Sequence, residues 1–219
     1  MKSALVELLA EVRNAYEALD IKTLCLTEGL EWNYSLVTTS GVRNAPLIVS
    51  FNWGAASGKR YRPQERLQEE FLDEQDPGSL VRILPYLKKY LPLEQLANFS
   101  QTNYCFFRSH KANQISARDL ALCQPLFTKL LAILKPGVVL SFSSKLRDYI
   151  ETTEQLSETR RTSFEYLRGG RRVRYSALVG KLHSDIKAVF LPHPNYPLKG
   201  EVRDAAWEFC FNESRCSRC

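Results

Sequence analysis

SARDLALCQPLFTKLLAILKPGVVLSF, residues Ser116 to Phe142, decides the class of fold. Leu120, Cys123, Phe127, Leu130, Leu131 and Leu134 recur at three- and four-residue spacing, the period of a helix with one buried face. Ser116 followed by Asp119 is a helix-start signal, and Pro136-Gly137 is a stop, so the pattern predicts a helix over Ala117–Leu134. Pro125 falls inside it and is expected to kink the helix or trim its first turns. Directly after the stop comes GVVLSF, a short apolar run between breakers, which reads as a buried strand.

The same alternation extends in both directions. LIVSF (Leu47–Phe51), SQTNYCFF (Ser100–Phe107) and IKAVFL (Ile186–Leu191) are further strand candidates. Helical patterns lie between and before them, at Pro63–Leu72, at Ser79–Tyr90 and at residues 3–19, where Leu5, Leu8, Leu9, Val12, Tyr16 and Leu19 form a stripe. Strands alternating with helices imply an α/β fold: a central, mostly parallel four-stranded sheet covered on both faces, in three α/β/α layers. EYLRGGRRVRYSALVGKL breaks the alternation, with two half-apolar arms around Gly169-Gly170, and predicts an inserted β-hairpin.

With 219 residues, 44% of them hydrophobic, the chain can bury a core as one domain over 1–219. No apolar run reaches the roughly 18 residues of a membrane span. Glu7 and Glu11 interrupt any signal-peptide core, so an intracellular protein is expected. The formal charge of +6 favours a polyanionic partner. That charge is concentrated: Arg160 to Lys181 holds seven basic residues and one acid, Glu165. Cys25, Cys105 and Cys123 read as small core residues. Cys210, Cys216 and Cys219 fall in a C-terminal segment, 208–219, that reads as a loose, oxidisable tail; it lacks the second Cys-x-x-Cys that a standard metal site needs. No metal or cofactor is expected.

In parallel sheets ligands sit beyond the carboxyl ends of the strands. Asn52 follows the first predicted strand, Asn103 lies in the second, Ser143 and Ser144 follow the third, and His193 follows the last, between Pro192 and Pro194. Two amides and an imidazole suit the edge of a heterocycle. No G-x-S-x-G elbow, P-loop or G-x-G-x-x-G is present.

LIVSFNWG (Leu47–Gly54), TNYC (Thr102–Cys105) and HPNYPL (His193–Leu198), with CQPLFTKLLAILKPGVVLSF (Cys123–Phe142) between the last two, resemble in order the motifs of the uracil-DNA glycosylase superfamily over residues 46–198. The first is most similar to the G-[IM]-N-P-G branch of mismatch-specific and single-strand-selective enzymes. The resemblance implies cleavage of the N-glycosidic bond of a base flipped out of DNA, with water as the nucleophile and a monomer as the active form. It gives Asn52 the attacking water and His193 the departing base's carbonyl oxygen. Asn103 would read the base edge, with Trp53, Gly54 and the stacking candidate Tyr61 around it. Asn195, Pro197, Leu198, Ser143, Arg171 and Arg172 would hold the DNA.

The motifs also depart from the family. Asn52 stands where the fastest members carry Asp, Trp53 replaces Pro, and Asn195 replaces the Ser of His-Pro-Ser. Gly54 stands where strict uracil enzymes carry a Tyr, which leaves room for modified uracils or deaminated purines. A non-catalytic DNA-binding member of the same fold is the competing expectation. An unrelated α/β hydrolase is a third.

Overall fold

The computed structural model describes residues 1–18, 34–38, 43–54, 82–92, 99–109, 111–153, 155–168, 170–183 and 185–212. The chain forms two compact units, one of residues 1–71 and 98–136, the other of 72–97 and 137–219. Both mix helix and strand, and the fold is α/β. The four runs expected as strands are strands, and each pairs in parallel with another of the four.

In the first unit, α1 (Lys2–Glu17) buries Leu5, Leu8, Leu9, Val12 and Tyr16, the stripe its sequence shows. Strand β1 (Val37–Thr38) runs antiparallel to β3 (Ser100–Ser109), which runs parallel to β2 (Leu47–Gly54). Tyr104, Cys105, Phe106 and Phe107 of β3 are fully buried, as befits a strand paired on both sides and covered on both faces. A 3-10 turn (Ala112–Gln114) leads into α3 (Ala117–Leu134). Ser116 Oγ accepts from Asp119 N–H at 3.1 Å, and the Asp119 carboxylate accepts from Ser116 N–H at 2.7 Å, so two otherwise orphaned amides are satisfied reciprocally. The helix starts at Ala117 and runs through Pro125, which trims none of its first turns. It ends at Lys135, whose φ of 45° turns the chain left-handed and whose N–H reaches Leu131 O at 2.8 Å. An ion pair of 2.5 Å joins Lys129 to Glu11 of α1 at the surface.

In the second unit, the helix expected at Ser79–Tyr90 is helical from residue 82, a 3-10 start leading into α2 (Leu84–Tyr90); residues 79–81 and the helix expected at Pro63–Leu72 lie outside the described residues. Strand β4 (Val138–Ser141) is followed by α4 (Ser144–Thr152) and pairs in parallel with β7 (Ile186–Phe190). The hairpin exists but is longer than its half-apolar arms indicate: β5 (Leu156–Arg168) and β6 (Arg171–Leu182) pair antiparallel, and β6 continues the sheet beside β7. The two arms close tightly over a bulge between Ser157 and Arg160, where a Cβ on Gly180 would sit 3.0 Å from Ser157 O.

The last helix, α5 (Gly200–Phe211), overturns the reading of residue 208 onward as a tail, because Cys210 lies inside this helix and is fully buried. Burial pushes its thiol up to about 12, so it stays protonated. Cys216 and Cys219 lie outside the described residues, as does Cys25. Cys105 and Cys123 are buried reduced thiols, as expected, and desolvation with the neighbouring Cys123 raises Cys105 well above the usual thiol range. Trp207 organises the core of the second unit: it stacks on Tyr86 at 5.2 Å, Tyr90 at 5.8 Å and Phe211 at 5.6 Å between centroids. Among the described residues no helix is long and apolar enough to cross a membrane.

Trp207→Ala removes the ring at the centre of this stack and is expected to cost about 3–5 kcal/mol. Urea denaturation, followed by far-ultraviolet dichroism, reads that loss as a lowered midpoint.

Candidate functional site

Strand β7 ends at Phe190, but its ladder runs one residue further, because Leu191 N–H donates to Ser141 O at 2.8 Å. Pro192 has no amide hydrogen, so the ladder stops there and the chain turns away. A turn follows in which Tyr196 N–H donates to His193 O at 3.0 Å. Arg203 of α5 holds this turn from below, donating from Nη2 to Tyr196 O at 3.0 Å and to Pro194 O at 3.3 Å. Pro192 and Pro194 are buried while His193 between them is half-buried, so the imidazole is set on a fixed backbone just beyond the carboxyl end of β7.

The protonation of His193 follows from its contacts. Asn195 N–H donates to Nδ1 at 3.1 Å, so Nδ1 is an acceptor and the single proton of the neutral ring sits on Nε2. Burial, aided by the Arg203 cation, lowers its pKa below the usual histidine value of 6.5. At neutral pH the ring is therefore uncharged and presents Nε2–H as a donor.

His193 lines a cavity of about 390 Å³ within the second unit. That volume lies in the range of small-ligand clefts, about 300–1,000 Å³. Its other polar walls include Ser143, Arg147, Arg174, Tyr175 and Tyr196. Ser143 caps α4, its Oγ accepting from Leu146 N–H at 3.2 Å, so the start of that helix forms one wall. Arg147 is fastened from several sides: Asp148 accepts from it at 2.7 Å, Glu151 lies at 3.8 Å, and Ser176 O of β6 accepts from Nη1 at 3.5 Å. Glu151 in turn pairs with Arg161 of β5. Tyr196 packs against Tyr175 at 5.1 Å and against the His193 ring at 5.7 Å.

Asn52 and Asn103 belong to the first unit and do not line this cavity. In β2 and β3 the register sets Asn103 beside Ser50 and Asn52 beside Cys105. Side-chain alternation then puts both amides on one face of the pair, two residues apart. Asn52 Nδ2 lies 2.6 Å from Ser109 Oγ, and Ser109 Oγ lies 2.9 Å from Lys111 O. The hydroxyl has one hydrogen, committed to the Lys111 carbonyl, so it must accept from Asn52. The amide's orientation is thus determined: nitrogen toward Ser109, Oδ1 away from it.

Of the other expected site residues, Ser143 joins His193 at the cavity. Asn195 and Pro197 are exposed on the turn and Leu198 is half-buried. Arg171 and Arg172 are exposed at the hairpin tip, opposite Arg168 and Leu167. Trp53 and Gly54 continue β2 opposite Arg108 and Ser109, beyond a register shift after Asn52; their side-chain environment and Tyr61 lie outside the described residues. Arg147, Arg174, Tyr175 and Tyr196 escaped the sequence reading. The only signals for them were the RYS of the hairpin and the tyrosine inside HPNYP.

No known protein-family model matches the chain, and no curated protein matches it.

Arg203→Ala removes two charge-assisted bonds to the turn and the cation beside the imidazole. The His193 pKa is then expected to rise toward 6.5, read from the titration of its ring protons by NMR.

Proposed function

We propose that the protein is a monofunctional DNA glycosylase that hydrolyses the N-glycosidic bond of uracil or a related deaminated or modified base. The observation that carries this reading is His193: a neutral imidazole with its proton confined to Nε2, held between two buried prolines beyond the end of a parallel strand. Glycosidic cleavage passes through an oxocarbenium-like sugar while negative charge grows on the leaving base. A fixed N–H aimed at that base's carbonyl oxygen stabilises the charge without first having to lose a hydration shell. Asn52 Oδ1 orients the attacking water, whose oxygen bonds to C1′ as the base departs with the bonding pair, and the water's surplus proton passes to the departed anionic base or to solvent. Asn103 offers one acceptor and one donor to the O4 and N3–H edge of uracil, the pair that cytosine cannot match.

This assignment carries further parts. The four parallel strands form one central sheet in a three-layer α/β/α architecture, with the hairpin as its insertion. The partner is DNA, met by a monomer inside the cell. Asn195, Pro197 and Leu198 reach the strand from the turn, Pro197 and Leu198 filling the gap left by the flipped base, while Arg171 and Arg172 meet phosphates. One feature favours the alternative of a non-catalytic binder of uracil-containing or abasic DNA: Asn52 cannot take up the proton of the attacking water, so the water is positioned but not deprotonated.

Oligonucleotides carrying one uracil, hypoxanthine, xanthine or 5-hydroxymethyluracil, treated with alkali after incubation, test the activity. Breakage at the lesion is expected, reduced about 10²–10³-fold in His193→Ala. Retention of damaged DNA with no breakage at any lesion would leave only the binder.

The pH profile checks the histidine separately. Protonating Nδ1 would set two N–H groups against each other at Asn195 and break the turn. Activity should therefore hold through neutral pH and fall only below 6.5, as pH drops through the lowered pKa. An acid limb centred above 6.5 would assign the titration to another group.

A further inference from the structure

Strand β5 is the last strand of its sheet: β6 pairs with it on one side, and among the described residues nothing pairs with it on the other. An open edge carries a row of backbone N–H and C=O groups without strand partners, which is a template for another strand. Proteins blunt such edges by keeping them short, or with proline, lysine or a bulge. Strand β5 has 13 residues, more than twice the usual five or six, and contains neither proline nor lysine. Its bulge lies at the base, between Ser157 and Arg160, and leaves the ladder regular from Arg160 to Arg168. None of its residues whose exposure is described is fully buried, so neither of the helices that touch it, α4 through Glu151 and α5 through Phe209, closes the edge.

The charges of β5 indicate what fits it. Arg161 and Glu165 lie four positions apart on one face of the strand. Arg161 reaches Glu151 yet stays exposed, and Glu165 is exposed and makes no ion pair with any described residue. When two identical strands pair antiparallel, a two-fold axis passes through one residue, because paired positions share their hydrogen-bonding type. Centred on Ser163, the pairing sets Arg161 of each copy opposite Glu165 of the other, and the symmetry makes two attractive cross-strand pairs. Centred on Arg160, Arg161 or Glu165 it sets like charges face to face. Centred on Thr162 or Phe164 it leaves Arg161 opposite Ser163 or Leu167.

We propose that the open edge of β5 is a self-association surface, on which two copies of the chain pair antiparallel along residues 160–166 about an axis at Ser163. The contact uses the open edge of both copies, so assembly closes at the dimer. It goes beyond the glycosylase reading, whose residues all come from one copy, and describes the protein free of DNA.

Sedimentation velocity of the full chain without DNA, at about 1–500 µM, reads the association, which is weak because a single strand pair is a small interface. Wild type should shift from monomer toward dimer and no further. Glu165→Arg and Arg161→Glu should each weaken dimerisation at least about ten-fold, because each turns two attractive pairs into two repulsive ones. Mixing the two variants should restore it, since one chain then carries arginine at both positions and the other glutamate at both. Exposed Glu165 has no ion pair of its own to lose, so Glu165→Arg leaves the fold intact, which circular dichroism verifies. If Arg161→Glu fails to fold beside Glu151, Glu165→Arg alone still decides the matter.

A wild type that stays monomeric at the highest concentration overturns the proposal. So does a Glu165→Arg variant that dimerises as wild type does, a pair of folded variants that stay apart when mixed, or growth past the dimer. Base excision is assayed separately, and its absence leaves the edge contact standing.

Discussion

The missing amide hydrogen of Pro192 is the constraint on which the site depends. One residue earlier, Leu191 still takes its place in the ladder by donating to Ser141 O. Pro192 itself has no hydrogen to offer the strand on the other side of β7, and the ladder ends there. The turn that follows satisfies its amides internally, and one of them, Asn195 N–H, finds its acceptor on the histidine ring. The protonation pattern of the imidazole is therefore a by-product of how the backbone exits a strand.

That turn is held in place by a helix whose own position depends on Trp207. Arg203 lies on α5, the helix that carries Trp207 into the stack with Tyr86 and Tyr90. Burial of those rings fixes the helix, the helix fixes the guanidinium, and the guanidinium fixes the carbonyls of Pro194 and Tyr196. Hydrogen bonds from a charged donor contribute about 1.5–3 kcal/mol when well formed, whereas loss of a large buried ring costs about 3–5 kcal/mol. Packing is the larger effect, and the polar contacts set the direction of the loop it carries.

Elements were legible in the sequence where local chemistry determines them. Ser116 and Asp119 announce a helix start because the capping contacts span three residues, and the four apolar runs announce strands because each is short and apolar between breakers. The first arm of the hairpin was hidden. Leu156–Arg168 is polar on much of its surface, and only its pairing with β6 makes it a strand. The last helix was hidden as well, since the stack that buries Trp207 is completed by Tyr86 and Tyr90, which lie far earlier in the chain. At the site, His193 was marked by its prolines. Tyr175 and Tyr196 became neighbours only through the sheet, and the orientation of Asn52 is decided by Ser109, 57 residues along the chain.

The close seat of Ser157 against Gly180 has a consequence at the far end of the hairpin. At that bulge Glu158 takes a φ of 50°, and the Gly180 position has no room for a side chain, so the two arms interlock at a single point. A slip of one residue would turn every side chain of an arm to the opposite face. Tyr175 would then leave Tyr196, and Arg174 would take its place. The hairpin works as a keyed shaft: a glycine near its base sets the angle at which its tyrosine is presented, five positions away along the strand.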